Sequence, residues 1–508
     1  MMEKISIYHI TMLTLYGGMM VKLKKHQELP IKFMKNNHGL ILYHSTGSGK
    51  TLTGLFAMYQ FDKDIIIIGP KSSKKSFNDN ISKAGLDPTR VTFYTFTKIK
   101  EILLDELGKP DESNTNKVSK MFKNKSVIVD EAHNLRNEKG LNVMLNESLK
   151  LSYKIIMLSA TAVINYFNDL SVLINIAKNN NDLPITRDTF NPKFFENGTY
   201  KLINKEYLEN KMRNCISYYK QGESDDYLDD YPTSKTNYIK IEMSNDQLKQ
   251  YIYYIQKILN DNEELSESIS DLGITPYVDF KILNKKKKNL FMSVTRQISN
   301  CVDGEESPKI KAIFDKLKKG PFPVVVYSNF KKNGIYAIGN ILNKHKFSYG
   351  EITGESNDND ITDIVNNYNN GKYKVLLITA AGSESLDLKN TRQVHIMEPY
   401  WNEARVDQVV GRAIRYKSHI DLPKKDQNVT IYRWISIFPD NLNIESADEH
   451  LMMINERKQI VYEKFINIVI KASIENDPKY KKLKGGSYDN EYIKYINMYI
   501  RLKNESNI

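Results

Sequence analysis

Cysteine is nearly missing from this sequence, with Cys215 and Cys301 the only two in 508 residues. Two thiols cannot build a disulfide framework or a four-cysteine zinc site, so a reducing compartment is expected and any metal should be held by oxygen. Long apolar runs are scarce as well. The one stretch that resembles a targeting signal, Ile5 to Val21, is broken by His9, Gly17 and Gly18, lacks a small-residue cleavage site and is too short to cross a bilayer. A cytoplasmic protein with no membrane partner is the expectation. Met19 and Met20 stand just before the basic run Lys22, Lys24, Lys25, which leaves Met1, Met19 and Met20 all open as the true start.

What is present is the profile of a soluble globular chain: 41% apolar residues, 26% charged residues and a mean hydropathy of -0.50. At about 150 residues per domain, the length suggests two to four domains. Lys and Arg number 73 against 61 Asp and Glu, leaving +12 and favouring a polyanionic partner such as nucleic acid. Asn makes up roughly one residue in ten, which points to an AT-rich coding sequence more than to a fold.

Two stretches alternate short Ile- and Val-rich runs with helix-like intervals, the rhythm of parallel α/β sheets. The first, residues 20–180, offers strands at Gly39 to Tyr43, Asp64 to Ile68, Val91 to Phe96, Ser126 to Val129 and Lys154 to Leu158. The second, residues 305–440, offers Val324 to Tyr327, Lys374 to Thr379, Val394 to Met397 and Val429 to Trp434, with a helical spacing at Ile361, Ile364, Val365 and Tyr368. Residues 1–19 read as an N-terminal extension. Residues 181–304 show no such rhythm and read as a linker or insertion, partly helical around Gln247 to Leu259, with the basic run Lys285 to Lys288. Residues 441–508 read as a helical tail with Val461, Phe465, Ile468 and Ala472 on one face.

Chemistry concentrates at the ends of strands. His44-Ser45-Thr46-Gly47-Ser48-Gly49-Lys50-Thr51 follows the first strand and opens a helix, the setting of a P-loop. Gly47 and Gly49 let backbone N–H groups turn around phosphate oxygens, Lys50 reaches the β and γ phosphates, and the Thr51 hydroxyl can ligate Mg²⁺. His44 replaces the first glycine of the usual pattern. Asp130-Glu131-Ala132-His133 ends another strand, at the carboxyl edge where α/β proteins bind ligands. Asp130 can hold a Mg²⁺ that also takes phosphate and water oxygens, leaving Glu131 to orient and deprotonate an attacking water. Ser159-Ala160-Thr161 follows a third strand. In the second stretch, Gln408-Val-Val-Gly411-Arg412-Ala-Ile-Arg415 places two guanidiniums on one helix face, where they match the charge of a transferring γ-phosphoryl.

These motifs, in this order, resemble those of superfamily 2 helicases and translocases of the DEAH type. The longer blocks LSATAVINYFNDL, ISYYKQGESDDYLDDYP, VTRQISN and SESLDLKNTRQVHIMEPYWNEARVDQVVGRAIRYKSH resemble the Swi/Snf-like ATPases of large cytoplasmic DNA viruses, namely the poxviral early transcription factor small subunit and nucleoside triphosphatase I group. The resemblance implies two RecA-like lobes, ATP and Mg²⁺ as cofactors, and Gln408, Arg412 and Arg415 joining Glu131 and Lys50 in catalysis. It also implies that Gln27 reads adenine, and that His133, Ser159 and Thr161 couple hydrolysis to movement. Pro70, Lys71, Ser328, Asn329, Thr379 and Ser383 would line a nucleic-acid track, DNA favoured over RNA. A viral RNA polymerase or a second transcription-factor subunit is the implied partner, in the viral factory of the host cytoplasm and in the virion. Ala162 stands where relatives usually carry Pro. Two alternatives remain: a transcription initiation or termination factor whose ATPase is a conformational switch without processive movement, and a P-loop kinase or metabolic NTPase, which would leave the second stretch unexplained.

Overall fold

Four successive isoleucines place side chains on both faces of a strand, so the run Ile65 to Ile68 requires apolar cover above and below. The computed structural model supplies it. It describes residues 23–105, 108–109, 111–136, 140–161, 166–196, 201–220, 230–260, 285–379, 386–401, 403–439 and 445–481. The N-terminal extension, the three candidate start methionines, Ala162 and Ser383 lie outside the described residues. The chain divides into two units, one formed by residues up to 228 together with those from 461 on, the other by residues 229–460.

The first unit is built on six strands: β1 (Gly39–His44), β2 (Ile65–Gly69), β3 (Val91–Thr95), β4 (Ser126–Asp130), β5 (Lys154–Ser159) and β6 (Ile216–Tyr219). They form one sheet in the order β3-β2-β4-β5-β1-β6, and every neighbouring pair is parallel. Helices α1 (Lys25–Met34), α2 (Lys50–Tyr59), α3 (Ser73–Lys83) and α4 (Asp169–Lys178) are among those that cover it. Alternation sorts the strand residues between two cores: Ile41, Tyr43, Ile66 and Ile68 face one layer, Leu40, Leu42, Ile65 and Ile67 the other. Each such side chain contributes roughly 1.5–3 kcal/mol on burial. The backbone of α4 comes so near β1 that a Cβ on Gly39 would lie 2.6 Å from the Ala177 Cα, which is why a glycine starts that strand.

The second unit holds β7 (Thr233–Glu242), β8 (Val324–Tyr327), β9 (Tyr349–Ile352), β10 (Val375–Ile378), β11 (Gln393–Ile396) and β12 (Asn428–Ile437), ordered β7-β12-β11-β8-β10-β9 and again wholly parallel. Apolar layers flank both faces of this sheet too. Helices α5 (Asn245–Asn260) and α6 (Lys285–Asn300) pack with the start of α9 (Ala447–Ala472) in a further cluster, while α7 (Pro308–Leu317) and α8 (Glu403–Ala413) flank the strands.

The sequence rhythm missed three strands. Residues 181–304, read above as lacking strands, supply β6 to the first sheet and β7 to the second, and β9 was also overlooked. All three are edge strands. β7 alternates between exposed and half-buried positions along most of its length, so it carries no continuous apolar run to read. Phe96, placed above at the end of a strand, instead opens a helix capped by the Thr95 hydroxyl. The residues after 460 are not a free tail in packing terms: Val461, Phe465, Ile468 and Ala472 lie in the core of the first unit. Among the described residues, no helix is long and apolar enough to cross a membrane.

Candidate nucleotide site

Because the strands of the first sheet are parallel, the residues that follow β1, β2, β4 and β5 emerge at one edge. That edge gathers the P-loop, Pro70 and Lys71, Asp130 and Glu131, and Ser159 and Thr161. Gly47 and Gly49 take φ of 77° and 85°, in the left-handed region where a side chain is strained. A Cβ on Gly49 would stand 2.6 Å from Gln27 Nε2. The loop therefore needs glycine there for two independent reasons. Lys50 folds its ammonium back onto the loop, donating to the carbonyls of His44 at 2.9 Å and Ser45 at 3.0 Å. Ser45 and Thr46 are half-buried and Gly47 is exposed. Ser48 Oγ is buried with no partner among the described residues, a donor left for a ligand oxygen.

Two residues of α1 brace this loop. Gln27, only 3% exposed, donates from Nε2 to Gly49 O at 3.1 Å and accepts from Lys24 N at 2.8 Å. Its neighbour His26 lies 2.8 Å from Ser48 O and stacks on Tyr219 at 3.8 Å between ring centres. Gln27 is among the residues expected from the sequence, whereas His26 is not. The signal was local: the pair sits together in KKHQELP, two polar residues that α1 buries.

Asp130 ends β4, and burial together with the adjoining Glu131 carboxylate pushes its pKa up, with Ser73 and Lys50 acting in the other direction. Glu131 has φ 48° and ψ 51°, a left-handed backbone that costs a non-glycine residue on the order of 1–3 kcal/mol and persists only where its surroundings enforce it. Such strain is typical of catalytic positions. His133 Nδ1 lies 3.3 Å from Ser159 Oγ, 3.5 Å from Thr161 Oγ1 and 3.3 Å from Glu131 Oε2. Thr161 N donates to Ser159 Oγ at 3.1 Å. Burial, aided by the charge of Arg136, lowers the His133 pKa to about 4, so the ring is neutral at pH 7 and its contact with Glu131 is polar but not an ion pair.

The donor set suits a hard divalent cation. Asp130 and Thr51 could supply one carboxylate and one hydroxyl, and among the described residues there is no cluster of three or more His, Cys, Asp or Glu that would hold a metal alone. A cation held by these two groups would take its remaining ligands from phosphate and water, as Mg²⁺ prefers. A cation here would also offset the like-charge repulsion that raises Asp130.

The other expected site residues lie in the second unit. Gln408 and Arg412 are half-buried on α8, and Arg415 follows just beyond its end, 3.3 Å from Asp387. Burial lowers the Arg415 pKa while Asp387 raises it; a guanidinium keeps its charge at neutral pH. Ser328 is wholly buried and donates to Glu398, which also accepts from Asn329 N at 2.7 Å, Asn329 Nδ2 at 2.9 Å and Asn300 Nδ2 at 2.8 Å. Ser328 thus holds a carboxylate in place and does not present its hydroxyl at the surface. Thr379 is 5% exposed, with its hydroxyl unpartnered among the described residues, and Lys71 is exposed. Glu398, which no sequence reasoning found, sits in the MEPYW run directly after β11.

Residues 19–168 match the family "Type III restriction enzyme, res subunit", and residues 308–417 match "Helicase conserved C-terminal domain". An Acanthamoeba polyphaga mimivirus protein that bears the name ATP-dependent RNA helicase is 51% identical over 90% of this chain and 98% of its own. A termination factor NPH-I homolog of African swine fever virus is 24% identical, covering 83% of this chain and 73% of its own. Nucleoside triphosphatase I of Choristoneura biennis entomopoxvirus is 26% identical over 94% of this chain and 82% of its own. The Sulfolobus solfataricus SWI2/SNF2 ATPase core in complex with dsDNA covers 82% of this chain and 88% of that one at 16% identity, with a TM-score of 0.37, too weak a likeness to carry an argument. The chain belongs to the superfamily 2 helicases and ATPases, among the viral relatives that include nucleoside triphosphatase I and the NPH-I termination factor.

Proposed function

We propose that this helicase-family ATPase is an ATP-dependent nucleic-acid translocase or helicase of a viral transcription apparatus, acting on DNA in preference to RNA. The observation that carries the reading is the strained Glu131 beside Asp130, on the same sheet edge as the P-loop. In this reading Lys50 leaves its two loop carbonyls for phosphate oxygens, and Gly47, Ser48 and Gly49 turn their N–H groups to the same ligand. Mg²⁺, held by Thr51 and Asp130, would neutralise charge on the transferring phosphoryl. Glu131 orients the attacking water and takes its proton. Arg412 and Arg415, with Gln408, meet the charge that builds up in the transition state. His133, neutral and within reach of both Glu131 and the Ser159–Thr161 turn, relays the state of the site to the rest of the unit.

The excess of positive charge and the name of the African swine fever virus relative support a nucleic-acid track and a transcription role, with a viral RNA polymerase or second factor subunit as partner, in the viral factory and virion. The mimivirus relative's name points to RNA instead. The test is steady-state ATP turnover with single- and double-stranded DNA and RNA, alongside Glu131→Gln. Turnover should rise most with DNA, and the variant should bind ATP yet lose about 10²-fold or more in rate. Turnover indifferent to every nucleic acid, or a near-normal variant, would overturn the reading. The word termination in a relative's name also favours the switch alternative, which predicts stimulation independent of nucleic-acid length.

A further inference from the structure

Three features of the first unit meet at His44, the residue that stands where a P-loop normally begins with glycine. Its side chain is fully buried, and Nε2 lies 2.7 Å from Ser217 Oγ on β6. The Ser217 hydroxyl donates to Glu475 Oε1 at 2.6 Å, and Tyr218 N donates to Glu475 Oε2 at 2.9 Å. A hydroxyl has one proton, and here it goes to the carboxylate. Ser217 must then accept from His44, which makes Nε2 the protonated nitrogen. The result is a directed chain from the proposed ATP-binding loop to a carboxylate that lies 258 residues beyond Ser217 in the sequence. The segment that carries Glu475 is fixed to the same edge strand by Ile474 N, which donates to Ile216 O at 2.8 Å.

β6 holds the loop at two other points. Ser45 N donates to Tyr219 O at 2.9 Å, and the Tyr219 ring stacks on His26, which reaches Ser48 O. The composition Ser, His, Glu is not that of a hydrolase centre, because the carboxylate contacts the serine and not the imidazole, and Ser217 is fully buried.

We infer that Glu475, acting through Ser217 and His44, is a positioning residue for the ATP-binding loop, so that nucleotide affinity is set from the C-terminal segment of the chain. The inference rests on the reading of residues 44–51 as the ATP site. Glu131 directly follows β4, which β5 separates from β1 in the sheet, and none of the hydrogen bonds of this chain involves it. Loss of the anchor should therefore appear in binding and leave the chemical step nearly intact.

The test uses the full-length protein. Affinity for a fluorescent ATP analogue, KM, kcat and the thermal midpoint are measured for Ser217→Ala, Glu475→Ala, their double variant, Glu475→Gln and Lys50→Ala. Either alanine change should raise Kd and KM by about 5- to 30-fold, the scale of one charge-assisted hydrogen bond, with kcat changed by no more than about twofold. The double variant should be no worse than the weaker-binding single, and Glu475→Gln, which keeps an acceptor for Ser217, should recover part of the loss. Unchanged affinity in Ser217→Ala, losses that multiply in the double variant, or a fall in kcat at constant KM would each overturn the inference. If Glu475→Ala does not fold, Ser217→Ala and Glu475→Gln decide it by the same criteria. Lys50→Ala separates the two layers: if it binds the analogue like the parent, the ATP-site reading itself fails.

Discussion

Replacing Gly49 by alanine tests the loop at its most constrained point. At φ 85° the left-handed backbone costs an alanine roughly 1–2 kcal/mol. The new Cβ would also stand 2.6 Å from Gln27 Nε2, well inside contact distance. Moving that amide away gives up its hydrogen bond to Gly49 O, a further ~0.5–1.5 kcal/mol. The loop relieves the strain by shifting, and restoring the proposed phosphate-binding geometry then requires about 1.5–3.5 kcal/mol. At about 1.4 kcal/mol per factor of ten, affinity for ATP should fall about 10- to 300-fold. The assay is titration of a fluorescent ATP analogue, with a thermal melt to show that the fold is kept. Gly108→Ala is the control, because that residue has φ 73° with nothing within 4 Å of the new Cβ, so it incurs backbone strain without touching the site. In a Gln27→Ala background the steric part of the Gly49 penalty should vanish. Affinity within about threefold of the parent in Gly49→Ala would refute the claim that Gln27 and the left-handed turn shape the loop.

Arg415→Ala should lower ATP turnover by at least about 10²-fold with little change in ATP affinity if, as proposed, the guanidinium acts on transition-state charge; equal losses in binding and rate would count against that role. His133 has a folded pKa lowered to about 4, below its unfolded value near 6.5, so the unfolded chain takes up the extra proton in that window. Stability should rise with pH between about 4 and 6.5, and denaturation curves of His133→Gln should show a shallower slope there than the parent, by up to about 1.4 kcal/mol per pH unit. The ion pair of Lys309 and Asp448 lies at 2.8 Å with side chains 1% and 0% exposed. Lys309→Ala leaves a buried carboxylate behind and should cost about 3–5 kcal/mol in urea unfolding, whereas a loss below 1 kcal/mol would mean that water reaches the pair.

Central strands announced themselves in the sequence because a parallel strand buried on both faces must be apolar throughout, as Ile65 to Ile68 and Val324 to Val326 are. Edge strands face no such demand. β7 pairs along ten residues with β12 yet keeps Thr233, Ser234, Lys235 and Thr236 exposed, so its polarity hid it. The candidate nucleotide-site motifs stood out for a different reason, since the P-loop pattern and Asp130-Glu131 are made of residues adjacent in the chain. What stayed hidden were partners brought together by the fold. Glu475 and Ser217 are far apart in sequence, and Glu398 collects donors from Asn300, Ser328 and Asn329 that no local spacing connects. The left-handed backbone at Glu131 was equally invisible, because a glutamate there gives none of the warning a glycine would.

Displacement of the third strand from a DNA triplex tests the central claim most directly, because it registers movement along a duplex without requiring base pairs to open. ATP-dependent displacement is expected of the parent protein and none of Glu131→Gln, which should still bind ATP and DNA. Unwinding a duplex would require about 1.4 kcal/mol per base-pair step to be supplied through an element that blocks reannealing. Release of a labelled strand from a simple tailed duplex, at protein concentrations too low to coat the product, would favour strand separation over movement alone. No displacement with DNA that does stimulate ATP turnover would contradict the translocase reading and leave the conformational switch.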